Sequence, residues 1–222
     1  MRNPGRFLLE LLYPTRCILC REELSPGRPR LCPRCLEEIR TPANARFPYV
    51  SVCVSALRYE GDAAEAIRRY KFRSCRAYAD AFGSLVSERI YTELSGKYDL
   101  ITWVPISSDR RRERGFDQSR LLAESAAKHL RQTAVPTLKK KRRVPRQSLL
   151  RDPQARKANV LGVYSVTKPE AVAGKRILLI DDIATTGATI SECAKTLLMA
   201  GAEEVLAAAL AKTPKAPAGT AE

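Results

Sequence analysis

Asp181 and Asp182 stand side by side at the end of an apolar run, and Ala184, Thr185, Thr186, Gly187, Ala188 and Thr189 follow almost at once. A turn made of such small and hydroxylated residues can bring several backbone N–H groups and hydroxyls onto one anion. Adjacent carboxylates beside a phosphate-sized loop suggest a site for a phosphorylated sugar. The surrounding pattern positions them. Ile177, Leu178, Leu179 and Ile180 form a short continuous apolar run, which suits a strand covered on both faces of a parallel sheet. The carboxylates then fall at its carboxyl end, where open α/β sheets bind ligands. Ile190, Cys193, Ala194, Leu197 and Leu198 recur with helical spacing, and Gly201 supplies the stop. Free amides at the start of that helix favour a phosphate. Val205 to Leu210 reads as the next strand. The plainer alternative is an ordinary turn with Asp182 helping to cap the helix.

This stretch resembles the phosphoribosyl diphosphate signature of type I phosphoribosyltransferases: an apolar strand, two acidic residues, then Thr-Thr-Gly-x-Thr. The resemblance implies that the loop holds the sugar 5-phosphate. It also implies that Asp181 and Asp182 are the catalytic pair, facing the ribose hydroxyls and helping to retain a magnesium ion that arrives with the substrate.

Cys17, Cys20, Cys32 and Cys35 form the second constellation, two Cys-x-x-Cys knuckles in a Pro- and Gly-punctuated segment. Four thiolates at this spacing suit a closed, structural zinc site with no open position for water. A segment so small has little core, so about 10–16 kcal/mol of apparent zinc binding would largely be its folding energy. A redox dithiol is the competing reading, but it calls for one pair at a helix start beside a strand-helix-strand unit. Cys53, Cys75 and Cys193 have no partner at ligand spacing and read as buried small apolar residues.

Charge narrows the partners. The 222 residues carry 39 Lys and Arg against 24 Asp and Glu, a net charge of +15, and the excess is clustered. One cluster includes Arg68, Arg69, Lys71, Arg73 and Arg76. A second is Arg110, Arg111, Arg112 and Arg114, and a third runs from Lys139 through Lys140, Lys141, Arg142, Arg143 and Arg146 to Lys157. Such density favours a polyanion, either a diphosphate or a nucleic acid backbone. Arg69, Lys71, Arg73, Arg111, Arg114, Lys140, Arg142, Arg143 and Arg146 are the candidate contacts, with Tyr70 and Phe72 as candidate stacking residues. A solvated basic loop is the alternative for 139–148, and a core role is the alternative for Phe72. His129 is the sole histidine and reads as a surface residue, which leaves no histidine for acid–base work.

The remaining elements are a strand over 50–57, a helix from Asp62 towards Phe72, a helix over about 77–94, a central strand from Leu100 to Ile106, and a helix from about Gln118 to Leu130. The expected divisions are a zinc module over 1–48, an α/β domain over 49–212 with a parallel sheet flanked by helices, and a disordered tail over 213–222. No apolar run spans a bilayer and no secretory leader is evident, so the expected location is cytoplasmic.

In this order the pieces resemble the ComF family, a cysteine module followed by a phosphoribosyltransferase-type domain. The resemblance rests on Tyr13-Pro14-x-x-Cys17-x-x-Cys20, Cys32-x-x-Cys35, Tyr59-x-Gly61, Tyr70-Lys71-Phe72, Val104-Pro105-Ile106-Ser107, the run Arg114 to Ser119, Gln147 to Asn159, and 177–190. Asp117 stands where asparagine is frequent, and Val144 where threonine is common. The family implies a role in natural transformation, with phosphoribosyl diphosphate, single-stranded DNA and DNA-uptake machinery as partners. Ser107 and Ser108 match its diphosphate-loop position. The alternative it leaves open is an active transferase of nucleotide metabolism, passing phosphoribose to an amine or base acceptor that the sequence does not name.

Overall fold

The computed structural model describes residues 14–25, 30–39, 44–72, 78–141 and 162–214. A short helix α1 (Pro33–Glu38) carries the second cysteine knuckle, with Cys32 as its N-cap and proline in its first turn. Strands β1 (Ala45–Phe47) and β2 (Val50–Arg58) form an antiparallel hairpin. Helices α2 (Gly61–Phe72) and α3 (Tyr78–Leu94) follow, then β3 (Leu100–Trp103), α4 (Ser108–Arg114) and α5 (Gln118–His129). A small ladder of β4 (Leu138–Lys140) and β5 (Tyr164–Val166) precedes α6 (Pro169–Val172), β6 (Arg176–Ala184), α7 (Ala188–Met199) and β7 (Glu204–Lys212).

The main sheet runs β1-β2-β7-β6-β3, parallel except for β1. Its inner strands are apolar on both faces because both faces are covered. Leu178, Ile180, Leu206, Ala208 and Leu210 pack with Ile67 and Tyr70 of α2, Phe82 and Ile90 of α3, and Leu122 and Ala126 of α5. Ile177, Leu179, Val205, Ala207 and Ala209 turn the other way, towards Ile190, Ala194 and Leu197 of α7 and Tyr164 of β5. Four alanines of β7, at 207, 208, 209 and 211, are buried between neighbouring strands.

Register delivers the site. Trp103 pairs with Ile180, and the Val104 N–H donates to the Ile180 carbonyl at 2.9 Å, so Pro105 and Ile106 lie beside the acid pair. At the opposite end, Arg176 binds Asp99 through Nη2 at 2.7 Å and Nε at 3.1 Å, which fixes where β6 starts against β3.

Two sequence expectations change. Ala45–Phe47, counted with the cysteine module, pairs with β2 and is an edge strand of the sheet. The central strand ends at Trp103 because Pro105 cannot donate to a ladder. Among the described residues no helix is long and apolar enough to cross a membrane.

At Gly83, helix α3 lies close against α5. A Cβ there would stand 2.1 Å from Ser125 Oγ and 3.0 Å from the Ala126 backbone nitrogen. Gly83→Ala is therefore expected to destabilise the chain by roughly 1–3 kcal/mol, since the helices must separate to admit the methyl group. Denaturant unfolding checks it, and an unchanged midpoint would refute the close packing.

Candidate functional site

Asp181 and Asp182 sit near the carboxyl end of β6 and are almost buried, 7% and 8% exposed. Asp181 Oδ1 accepts the Ser119 hydroxyl at 3.0 Å and the Asp182 N–H at 2.8 Å. Asp182 Oδ2 lies 2.8 Å from the Lys71 ammonium. Burial and then the charge of Asp182 push Asp181 up to about 7, against the pull of that N–H, of Lys71 and of Ser119. The pair opens into a cavity of about 410 Å³ whose walls include Tyr59, Ile106, Arg110, Lys140, Tyr164 and Thr189.

The loop after β6 is shaped by Gly187. Its φ of +77° favours glycine, and a Cβ would stand 2.1 Å from the Phe47 ring of β1. Gly187 is the N-cap of α7 and gives it no side-chain cap, so first-turn amides point towards the loop. The Thr186 hydroxyl accepts weakly from the Ala188 N–H at 3.4 Å. Lys212 donates to the Thr185 carbonyl at 2.9 Å and to that of Thr213 at 2.7 Å, tying the loop to the end of β7.

The same cavity also carries positive charge. Arg110 and Arg114 come from α4 and Lys140 from β4. Lys140 sits over the Tyr164 ring at 5.3 Å, and burial followed by repulsion from Arg110 lowers its pKa. Asp117 caps α5 by accepting the Arg120 N–H at 3.0 Å and also accepts the Ile106 N–H at 3.3 Å, which holds the cavity wall against that helix. The arrangement offers acceptors for hydroxyls, amides for one phosphate and cations for a second anionic group.

Of the residues singled out in the sequence, Lys71, Arg114, Lys140, Asp181, Asp182, Thr185 and Thr189 line this cavity. Ala184 ends β6 and is buried, while Thr186, Gly187 and Ala188 form the turn and helix start. Ser107 is the N-cap of α4, its hydroxyl accepting the Arg110 N–H at 3.3 Å, and Ser108 opens that helix. Arg111 is exposed on α4. Arg73, Arg142, Arg143 and Arg146 lie outside the described residues, as do Cys75 and the tail from 215.

Arg69 is a correction. It faces inward, 6% exposed, donating Nη2 to the Ile18 and Leu19 carbonyls at 3.1 and 2.7 Å, so its charge is used inside the protein. Tyr70 is another, fully buried against Phe82 and Phe116 with its hydroxyl donating to the Gln118 carbonyl, which removes it from base stacking. His129 has a neighbour in Asp80, at 3.3 Å. Sequence reasoning missed Tyr59, Ser119 and Tyr164 as site residues. Ser119 follows Gln118 in a recognisable run, but nothing local shows that its hydroxyl reaches Asp181.

The sulfur atoms of Cys17, Cys20, Cys32 and Cys35 all lie within 4.8 Å of one another. Cys20 and Cys32 Sγ are 3.6 Å apart, close to the roughly 3.8 Å edge of a tetrahedron built on Zn–S bonds of about 2.3 Å. Cys17 Sγ accepts the Cys32 N–H at 3.4 Å and Cys32 Sγ accepts the Cys35 N–H at 3.5 Å, the pattern expected of thiolates. These residues fit a structural zinc ion.

Known proteins agree with both halves. A phosphoribosyl transferase domain model matches residues 117–221, and a double zinc ribbon model matches residues 8–56. Competence protein ComFC of Bacillus subtilis (strain 168) is 30% identical over 87% of this chain and 82% of its own length. The chain belongs to the ComF family. Other relatives of this ComF-family chain are competence protein F of Haemophilus influenzae, 27% identical over 89% of the chain and 96% of its own length, and DNA utilization protein YhgH of Escherichia coli K12, 27% identical over 91% and 99%. The ComF-family chain is thus an α/β phosphoribosyltransferase-type domain carrying an N-terminal zinc ribbon.

Two outcomes are expected. The purified ComF-family protein should carry one zinc per chain by metal analysis, and Cys32→Ser should release it; metal-free protein prepared without chelator would contradict the site. Asp181 retains its proton in the fold but loses it on unfolding between the ordinary carboxylate range and about pH 7, so unliganded stability falls as pH rises through that window. Asp181→Asn should keep the Oδ1 acceptor and abolish that fall. Its melting midpoint should exceed wild type increasingly from about pH 4 to 7 and by a constant margin above, at roughly 2–4 °C per kcal/mol. Parallel melting curves would show that Asp181 titrates normally.

Proposed function

We propose that this protein binds phosphoribosyl diphosphate with magnesium in the cavity beside Asp181 and Asp182, binds single-stranded DNA on its basic surface, and serves DNA uptake in natural transformation. The observation that carries the ligand reading is the meeting, in one cavity, of a buried acid pair with the cations Arg110, Arg114 and Lys140 and with Thr189 from the first turn of α7, whose N-cap glycine offers no side chain. Amides at Gly187–Thr189 and the threonine hydroxyls would take the 5-phosphate. Asp181 and Asp182 would accept from the ribose hydroxyls, and Arg110, Arg114 and Lys140 would neutralise the diphosphate. The acid pair and the substrate's own diphosphate oxygens fit a hard cation, and magnesium bound there would offset the charge of the diphosphate. The names of the relatives, competence protein and DNA utilization protein, support the DNA role.

A transferase reading is favoured by one further feature. Tyr59, Val104, Pro105, Ile106 and Ile183 give the cavity an apolar and aromatic wall that phosphates do not need. In that reading an acceptor nitrogen lone pair forms a bond to C1 of the ribose, the C1–O bond breaks, and diphosphate leaves with the electron pair. The acceptor loses its proton to solvent.

Calorimetric titration of phosphoribosyl diphosphate with magnesium into zinc-loaded protein tests the ligand. Asp181→Asn with Asp182→Asn should weaken binding by roughly tenfold or more, at about 1.4 kcal/mol per factor of ten; equal affinity would refute the role of the carboxylates. Diphosphate release that depends on an added acceptor would establish the transferase reading. For DNA, Arg111, Arg112, Lys139 and Lys141 are exposed and lie close in sequence to the cavity residues Arg110 and Lys140. Replacing all four by alanine should lower oligonucleotide affinity and flatten the log–log salt slope by about 0.7 for each DNA phosphate that is no longer neutralised. An unchanged slope would place DNA elsewhere.

A further inference from the structure

Three consecutive residues of α2 reach three separate parts of the protein. Successive side chains on a helix point about 100° apart, so Arg69, Tyr70 and Lys71 have different neighbours. Arg69 donates to the carbonyls of Ile18 and Leu19, the two residues enclosed by Cys17 and Cys20. Its acidic neighbour Glu65, one turn back, is 4.0 Å away and half exposed. Tyr70 donates to the Gln118 carbonyl at 2.8 Å, immediately before Ser119, whose hydroxyl donates to Asp181. Lys71 is ion-paired with Asp182 at 2.8 Å, both side chains largely buried.

The knuckle carbonyls are held towards Arg69 by the turn that closes the first cysteine pair. Ile18 and Leu19 are themselves buried in the core that includes Ile67 and Tyr70. A guanidinium cannot deprotonate. If the knuckle opens, a buried charge is left without its acceptors, and the helix bearing it must shift until water reaches it. Arg34 and Asp62, 3.1 Å apart, add a surface tie from α1 to the first turn of α2, but such exposed pairs are weak.

We propose that Arg69 is a positioning residue that couples the cysteine centre to the acid pair: a metal-closed knuckle holds α2 where Lys71 and Tyr70 set Asp182 and Asp181 for the sugar-phosphate ligand. The ligand clause rests on the function proposed above. The mechanical link does not.

Hydrogen exchange on the full, ligand-free chain tests the link. Removing zinc from the wild type should accelerate exchange over 61–72 and at the amides of 181–182. Arg69→Met, which keeps the aliphatic stem, should do the same while retaining its zinc, and Arg69→Lys, which keeps donors, should restore most of the protection. Arg176→Ala breaks the pair with Asp99 at the other end of β6 and should loosen that end without touching 61–72. Phosphoribosyl diphosphate with magnesium should bind Arg69→Met roughly tenfold more weakly than wild type, with Arg69→Lys between them. Exchange at 61–72 and 181–182 that ignores zinc removal overturns the coupling, and this arm stands even where Arg69→Met is too unstable to purify. Wild-type affinity and exchange in Arg69→Met overturn it equally. A wild type that shows the exchange coupling but no affinity for the ligand overturns the ligand assignment and leaves the coupling intact.

Discussion

Two carboxylates at the end of a fully covered strand create an electrostatic cost that the rest of this fold is arranged around. Neither Asp181 nor Asp182 can be well hydrated, and adjacent buried charges of like sign repel. The protein distributes the burden. Asp182 takes a cation from α2, Asp181 takes a hydroxyl from α5 and an amide from its neighbour, and arginine and lysine line the same cavity. Apart from the amide, which belongs to β6 itself, these partners are spread over α2, α4, α5 and β4. Their convergence therefore depends on helix and strand positions that the main core fixes, and the site is only as well made as the packing of α2 and α5 on the sheet.

The parts legible in the sequence are those whose signal is local. The unit from Arg176 to Met199 announces itself through an unbroken apolar run, a glycine between hydroxyl residues and a helical period, all within one stretch of chain. The cysteine knuckles are likewise a matter of spacing. Helices over 61–72, 78–94 and 118–129 follow from periodicity and a nearby polar start. What stays hidden is which way a charge faces. Arg69 and Lys71 belong to one basic cluster in the sequence, yet one turns to the backbone of the zinc ribbon and the other to a carboxylate more than a hundred residues away. Nothing in the sequence separates them, because the distinction is made by 18, 19 and 182. Ser119, Tyr59 and Tyr164 are missed for the same reason.

The edge hairpin shows a similar dependence at a distance. β1 looks like an exit from the cysteine module, but Phe47 lies against Gly187, so the hairpin also helps to set the turn between the acid pair and α7. Lys212, over the same ring at 5.8 Å, anchors the other side of that turn. The loop that a phosphate would enter is thus bounded by the first and last strands of the sheet.

The alanine run of β7 has an effect on how this protein can vary. A strand built from Ala207, Ala208, Ala209 and Ala211 has almost no side-chain volume left to remove, so the one truncation open there, Ala→Gly, costs a buried methyl and added backbone freedom, about 1–2 kcal/mol, less than the truncations that damage most cores. Enlargement is the damaging direction, because every added carbon pushes a covering element off the sheet. Sequence drift at these four positions is consequently one-sided. Where the covering helices cross β7, larger side chains at these positions would disturb the two layers that supply the site.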